Sequence, residues 1–123
     1  MTCRHCFFTE VKEGKLEEYL KHHDNIWPEV AAGLRTAGVT QLTIFNVPET
    51  RKLVMYITTS GNIDIEKALG PGSKYRKDPK CKEWEEMMTA MMGDDVRGGG
   101  WTRMNQVHSS DVEWNNSLGL PLN

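Results

Sequence analysis

Val39-Thr-Gln-Leu-Thr-Ile-Phe-Asn-Val47, Pro48-Glu-Thr-Arg-Lys52 and Leu53-Val-Met-Tyr-Ile-Thr-Thr59 form the continuous stretch on which the fold turns. Its two outer segments are rich in the β-branched and aromatic residues that suit a pleated backbone. The connection between them opens on a proline and is short enough for an antiparallel hairpin. Gly61 closes the pair. Toward the N-terminus, Arg4 to Lys12 reads as another strand, broken by Gly14. From Lys15, the positions Leu16, Tyr19, Leu20, His23, Ile26, Trp27, Val30 and Leu34 recur at helical spacing until Gly38. Pro28 lies inside that run, where its ring removes a backbone hydrogen bond, so the helix should kink or restart near Asn25 to Trp27.

Toward the C-terminus, Ile63 to Leu69 is a short helical segment stopped by Gly70-Pro-Gly72. Lys80 to Met92 resumes the helical period, with Trp84, Met87, Met88 and Met91 on one side, the methionines as core and interface filler, and Gly93 as the expected cap. Gly98 to Gly100 form a joint into Trp101 to His108, a fourth strand, and the tail from Ser109 to Asn123 lacks periodicity. The order strand, helix, strand, strand, helix, strand is the βαββαβ arrangement of α+β, ferredoxin-like folds, with helices over one face of an antiparallel sheet. The strands are apolar on both sides: Val39, Phe45 and Val47 share one parity, Leu42 and Ile44 the other. Helices cover one face, so the second is expected to meet another copy, giving a homodimer of the dimeric α/β-barrel type. The competing reading folds Trp114, Leu118, Leu120 and Leu122 of the tail over that face.

The chain is of single-domain size, and residues 1–123 are read as one domain. Its composition is 38% hydrophobic and 26% charged with a net charge of −2, an ordinary globular balance. Scattered lysines and arginines offer no basic stripe for nucleic acid, and no apolar run approaches a membrane span. The N-terminus lacks a secretory leader, which points to the cytoplasm. Cys3-Arg-His-Cys6 has Cys-x-x-Cys spacing, but a zinc site needs about four ligands and no second pair exists, so neither metal nor cofactor is expected.

The chemistry-bearing stretch is Glu18-Tyr-Leu-Lys-His-His-Asp-Asn-Ile-Trp-Pro-Glu-Val30. Tyr19 and His23, four residues apart, share the helical face of Leu16, Ile26 and Val30, whereas His22 is rotated about 100° toward solvent. An inward histidine is either a hydrogen-bonded core residue or an acid–base group; its unperturbed pKa of about 6.5 populates both protonation states near neutrality. Walls of Tyr, His and Trp are the mixture of apolar surface and few polar groups that a sugar pocket uses.

Glu18-Tyr19, His23 and Ile26-Trp27-Pro28-Glu29 together resemble the signature of the L-rhamnose mutarotase family. The likeness continues through Gly38, Thr43-Ile44-Phe45, Leu53 to Tyr56 and Cys81-Lys-Glu-Trp84-Glu-Glu-Met-Met88, covering roughly residues 3 to 108. The resemblance implies a dimeric ferredoxin-like isomerase that interconverts the α and β anomers of L-rhamnose or a related deoxysugar without metal or cofactor. It puts the proton-donating histidine at His23, the first sugar-binding tyrosine at Tyr19 and one residue of a tryptophan pair at Trp84. Two positions depart from the pattern: Leu42 stands where the family has a second sugar-contacting tyrosine, and Glu85 where it has the second tryptophan. Leu42 and Glu85 are therefore carried as substrate-contacting positions, Glu85 as a replacement ligand although its place on the helix turns it away from Trp84. An insertion near Gly70 to Asp78 lies where it can reshape the entrance. Two other readings share the fold: a cofactor-free monooxygenase, which needs a drier cavity, and a non-catalytic small-molecule-binding protein.

Overall fold

Alternate residues of the first strand disappear from solvent. Phe7 and Thr9 of β1 (Cys3–Glu10), and Val11 just beyond it, are buried, while Phe8 between them is 43% exposed. That period of two is what a strand with one covered face requires. The computed structural model describes residues 3–93 and 100–109, so most of the tail lies outside the described residues. After β1 come α1 (Leu16–Asp24), α2 (Pro28–Thr36), β2 (Val39–Asn46), β3 (Lys52–Thr59), α3 (Ile65–Leu69), α4 (Lys74–Lys77), α5 (Pro79–Ala90) and β4 (Thr102–Met104).

The sheet has the order β2-β3-β1-β4, and every neighbouring pair is antiparallel. β2 and β3 form the expected hairpin, with a register shift between Val39 and Gln41. Asn46 ties its turn by donating to the carbonyls of Thr50 and Lys52, each at 3.0 Å. The pairings Phe7↔Met55, Leu42↔Ile57 and Ile44↔Met55 put these apolar side chains on one face, toward the helices. Cys6, Phe8, Phe45, Val54 and Tyr56 lie on the other. Cys3 and Cys6 thus fall on opposite faces of β1, which keeps the Cys-x-x-Cys thiols apart.

The long helical run divides as Pro28 demands: α1 ends at Asp24, Trp27 is extended, and Pro28 opens α2 at a position where its missing N–H costs nothing. Three short-range caps organise the segment after β3. Asp64 accepts from the Lys67 amide, Ser73 from Arg76, and Asp78 from Lys80 and Cys81. Ser73 and Asp78 thereby bracket α4, a single turn inside the segment read as an insertion. α5 ends at Ala90 with Met91 as its cap, so Gly93 is not the expected cap. Gly93 instead donates its amide to the Glu10 carbonyl at 2.7 Å, and the Lys12 amide donates to Met91 at 2.8 Å, stitching the end of α5 to the end of β1. β4 is also shorter than Trp101 to His108: it pairs with β1 only from Thr102 to Met104, and Val107 beyond it is 94% exposed.

Two clusters form the core under the helices. One gathers Tyr19, Val30, Leu53, Trp84, Met88 and Met92; the other gathers Phe7, Val39, Ile57 and Ile65. Among the described residues no helix is long and apolar enough to cross a membrane.

Candidate active site

Between the two core clusters is a cavity of about 220 Å³. It is smaller than the ~300–1,000 Å³ typical for drug-sized ligands, with room for one small molecule. α1 and α5 supply its polar roof. Tyr19 is 1% exposed, and the His23 ring stacks on it with centroids 4.3 Å apart and an interplanar angle of 25°, the contact that a spacing of four on a helix produces. The His23 Nδ1–H donates to the Tyr19 backbone carbonyl at 2.9 Å. Nε2 makes no hydrogen bond among the described residues. Burial depresses the His23 pKa, a nearby His22 adds to this, and the carbonyl bond and Asp24 oppose it. Burial therefore favours the neutral imidazole, and in that form the Nδ1–H bond leaves the lone pair on Nε2.

Trp84 crosses the end of α1 from α5. Its ring meets His23 edge-on at 5.3 Å and 65°, and Trp27 at 5.3 Å and 70°. Trp27 packs around the break at Pro28, as its place in the sequence suggests. His22 departs from expectation: it is half-buried, 6.3 Å from Trp84 at 82°. The indole is broad enough to touch both residues of the last α1 turn, which helical rotation alone does not foresee.

Tyr19, His23, Leu42, Trp84 and Glu85 all line this one cavity. Glu85 lines the cavity beside Trp84 although the two are successive residues of α5, and α4 packs against its side of that helix. The Tyr75 hydroxyl donates to Glu85 Oε1 at 2.9 Å, and Arg76 Nη2 lies 3.9 Å from Oε2. Burial raises the Glu85 pKa, against the opposing pulls of Tyr75 and Arg76. Burial and Glu85 push the Tyr75 hydroxyl far above neutrality, and the same two causes act on Tyr19.

Tyr75, Arg76 and Trp101 also line the cavity and were not singled out from the sequence. The signal for the first two was the Ser73 and Asp78 caps around one turn, together with a lone aromatic among basic residues. Gly33 supports that turn: a Cβ there would lie 2.9 Å from Tyr75 Cδ1 and 3.0 Å from Cys81 Sγ, so bare backbone lets Tyr75 lie against α2. Among the described residues no group of three or more His, Cys, Asp or Glu side chains is arranged to hold a metal ion.

A four-stranded antiparallel sheet in this order, with helices closing one face over a small cavity, defines a ferredoxin-like α+β protein. A solved L-rhamnose mutarotase from Formosa agariphila superposes with a TM-score of 0.64 at 22% identity, over 89% of this chain and 99% of that one. A dimeric ferredoxin-like protein from an uncultured marine organism superposes with a TM-score of 0.50 at 17% identity, over 88% of each chain. At those identities the likeness is one of fold. In sequence, the L-rhamnose mutarotase of Bacillus subtilis is 34% identical over 82 residues, 67% of this chain and 72% of that protein. The family model for L-rhamnose mutarotase matches residues 4–110. The chain belongs to the L-rhamnose mutarotase family.

Proposed function

We propose that this protein is a sugar mutarotase that interconverts the α and β anomers of L-rhamnose or a related deoxysugar by general acid–base catalysis. The observation that carries the reading is the tethered His23, with the neutral form favoured by burial and Nε2 uncommitted, in the wall of a cavity with room for one small molecule. Family membership gives that geometry its reaction. Ring opening of a pyranose needs a proton taken from the anomeric hydroxyl and one delivered to the ring oxygen. The free aldehyde then turns about its first carbon–carbon bond and recloses. His23 Nε2 is the group that exchanges protons with the anomeric centre, giving and taking one in the course of ring opening and closure. Tyr19 and Glu85 hydrogen-bond sugar hydroxyls, and Trp84 and Leu42 pack against its C–H surface.

The family match outweighs the monooxygenase and non-catalytic readings, since both share only the fold with this chain. The working unit is a homodimer joined through the bare sheet face, where Phe8, Phe45 and Met104 are 43%, 59% and 41% exposed. Cytoplasmic placement rests on the three cysteines, all free thiols as a reducing compartment keeps them. Saturation-transfer NMR on equilibrated L-rhamnose, L-fucose and other deoxysugars tests the activity: protein-dependent exchange between anomer signals is expected, and its absence on every sugar overturns the proposal.

A further inference from the structure

The polar groups of the cavity are unevenly placed. Its floor is the sheet, and the strand residues that line it are all apolar: Phe7, Leu42, Ile44, Met55 and Ile57. A sugar lying on that floor finds its hydroxyl, imidazole and charged partners in the helical wall, where α1 offers Tyr19 and His23 and the segment from α3 to α5 offers Glu66, Tyr75, Arg76 and Glu85. Glu66 is already taken by Arg103, whose Nε and Nη2 both lie 2.6 Å from its Oε1, and its side chain is 59% exposed.

Glu85 and Arg76 stand differently. Their side chains are 26% and 23% exposed, and each is anchored by a contact that leaves one end open. The Tyr75 hydroxyl donates to Glu85 Oε1 at 2.9 Å, so Oε2 remains as an acceptor. Arg76 Nε donates to the Leu69 carbonyl at 2.8 Å, so Nη2 remains as a donor. Among the described residues neither open atom makes a hydrogen bond, and the two lie 3.9 Å apart, beyond a direct one. An oxygen ~2.7 Å from Oε2 and ~2.9 Å from Nη2 closes the triangle, with its two bonds meeting at roughly a right angle. The group that fits there must donate on one side and accept on the other. A hydroxyl does both. An anion is repelled by Glu85 and a cation by Arg76, so the pair selects a neutral group.

We infer that Glu85 and Arg76 form a hydroxyl clamp, the specificity-determining contact of this cavity for a sugar hydroxyl away from the anomeric carbon, with Tyr75 and the Leu69 carbonyl as its positioning groups. The inference takes its ligand from the mutarotase reading: His23 is engaged at the anomeric centre, so the clamp holds one of the other ring hydroxyls. Both side chains that flank the Glu85 carboxylate come from α4, inside the segment read as an insertion. The Ser73 and Asp78 caps fix that turn, and the bare backbone of Gly33 lets Tyr75 lie against α2. The hydroxyl held by the clamp does not react. Its bonds are the same before and after ring opening, and their loss is read in affinity.

The test is a thermodynamic cycle read by NMR titration, using L-rhamnose and the three analogues that each lack one hydroxyl other than that at C1. Wild type should bind one of the three at least about tenfold more weakly than L-rhamnose, the effect of losing a hydrogen bond to a charged partner. Glu85→Gln keeps an oxygen for the Tyr75 hydroxyl and turns the open acceptor into a donor. It should weaken L-rhamnose by a similar factor and leave the affinity for that one analogue nearly unchanged. Arg76→Leu removes the donor and should give the same pattern, which decides the matter if Glu85→Gln fails to fold. Equal weakening of L-rhamnose and all three analogues makes the two residues supports of the wall and overturns the clamp. Unchanged affinities in the variants overturn it as well, and a wild type that binds all three analogues as it binds L-rhamnose, or binds none of the sugars, overturns it without any variant. Anomer exchange without the pattern removes the clamp and keeps the mutarotase reading; the pattern without exchange removes that reading and keeps the clamp as a sugar-binding contact.

Discussion

The two faces of the sheet share the same strands and differ in almost everything else. On the helix side Leu53 and Ile57 are sealed at 0% and 1% exposure around a cavity lined by His23. On the other face, Phe8 of β1 and Phe45 of β2 stand in solvent. The lesson is that strand period alone assigns side chains to faces, whereas what covers each face depends on the rest of the chain. The helical elements provide just enough surface for one side, and their misfit over that side leaves the cavity. The candidate site therefore sits on the face where packing is incomplete but enclosed, while the other face keeps Phe8 and Phe45 exposed.

The largest effect that could break this contrast is at the roof. His23→Gln keeps a hydrogen-bonding side chain but cannot exchange protons near neutrality, so anomer exchange should fall by about 10²–10⁴-fold in a folded protein. His22→Ala, which loses only an edge contact with Trp84, should fall less than about tenfold, the scale of an aromatic pair worth ~0.5–1.5 kcal/mol. Near wild-type exchange by folded His23→Gln would return His23 to the core-histidine reading.

A pair of substitutions sharpens the contrast between faces. Leu53→Ala opens a hole in the sealed side and should cost about 2–5 kcal/mol in urea unfolding. Phe45→Asp on the bare side should shift the monomer–dimer midpoint in sedimentation by more than about tenfold, the effect of removing an interface residue worth over ~1.4 kcal/mol. A wild type that stays monomeric at all concentrations would show that the bare face serves something other than self-association.

The smallest expected effect is on stability against pH. The folded His23 pKa is depressed below the ordinary 6.5, so the unfolded chain binds more protons in the window below that value. The His23 contribution to stability is fully present above pH 6.5 and is lost as pH falls through the folded pKa. Urea midpoints of wild type and His23→Gln should accordingly converge on acidification; parallel curves would mean that the imidazole is not desolvated.

Most of the frame was legible because long elements carry strong periodicity. The hairpin from Val39 to Thr59, the break at Pro28 and the Tyr19–His23 pairing each follow from spacing or from one residue's stereochemistry. The segment around Tyr75 was not legible for the opposite reason. α4 is four residues long, too short to show any period, and its place depends on the local caps of Ser73 and Asp78 and on the room left by Gly33. Glu85 was singled out from the sequence, but its surroundings were not legible for a related reason: its carboxylate is held by a hydrogen bond from Tyr75, a partner ten residues away whose position the sequence did not fix. β4 stops at Met104 although β1 continues as a strand to Cys3 along the same edge, and nothing in the alternation of Trp101 to His108 marks that stop.

The central place of β1 has a consequence for how the molecule is assembled in time. The first strand made is flanked by the third and the fourth, and its contact with the last joins Cys6 to Met104, 98 residues apart. Contacts of that span close large loops before they return any enthalpy, so this pairing should form after the local hairpin and helices. Trp101, just before β4, also closes the cavity wall. The cavity wall is thus completed only when β4 docks beside β1, and a polypeptide still emerging from synthesis can form its hairpin and its helices before that wall closes.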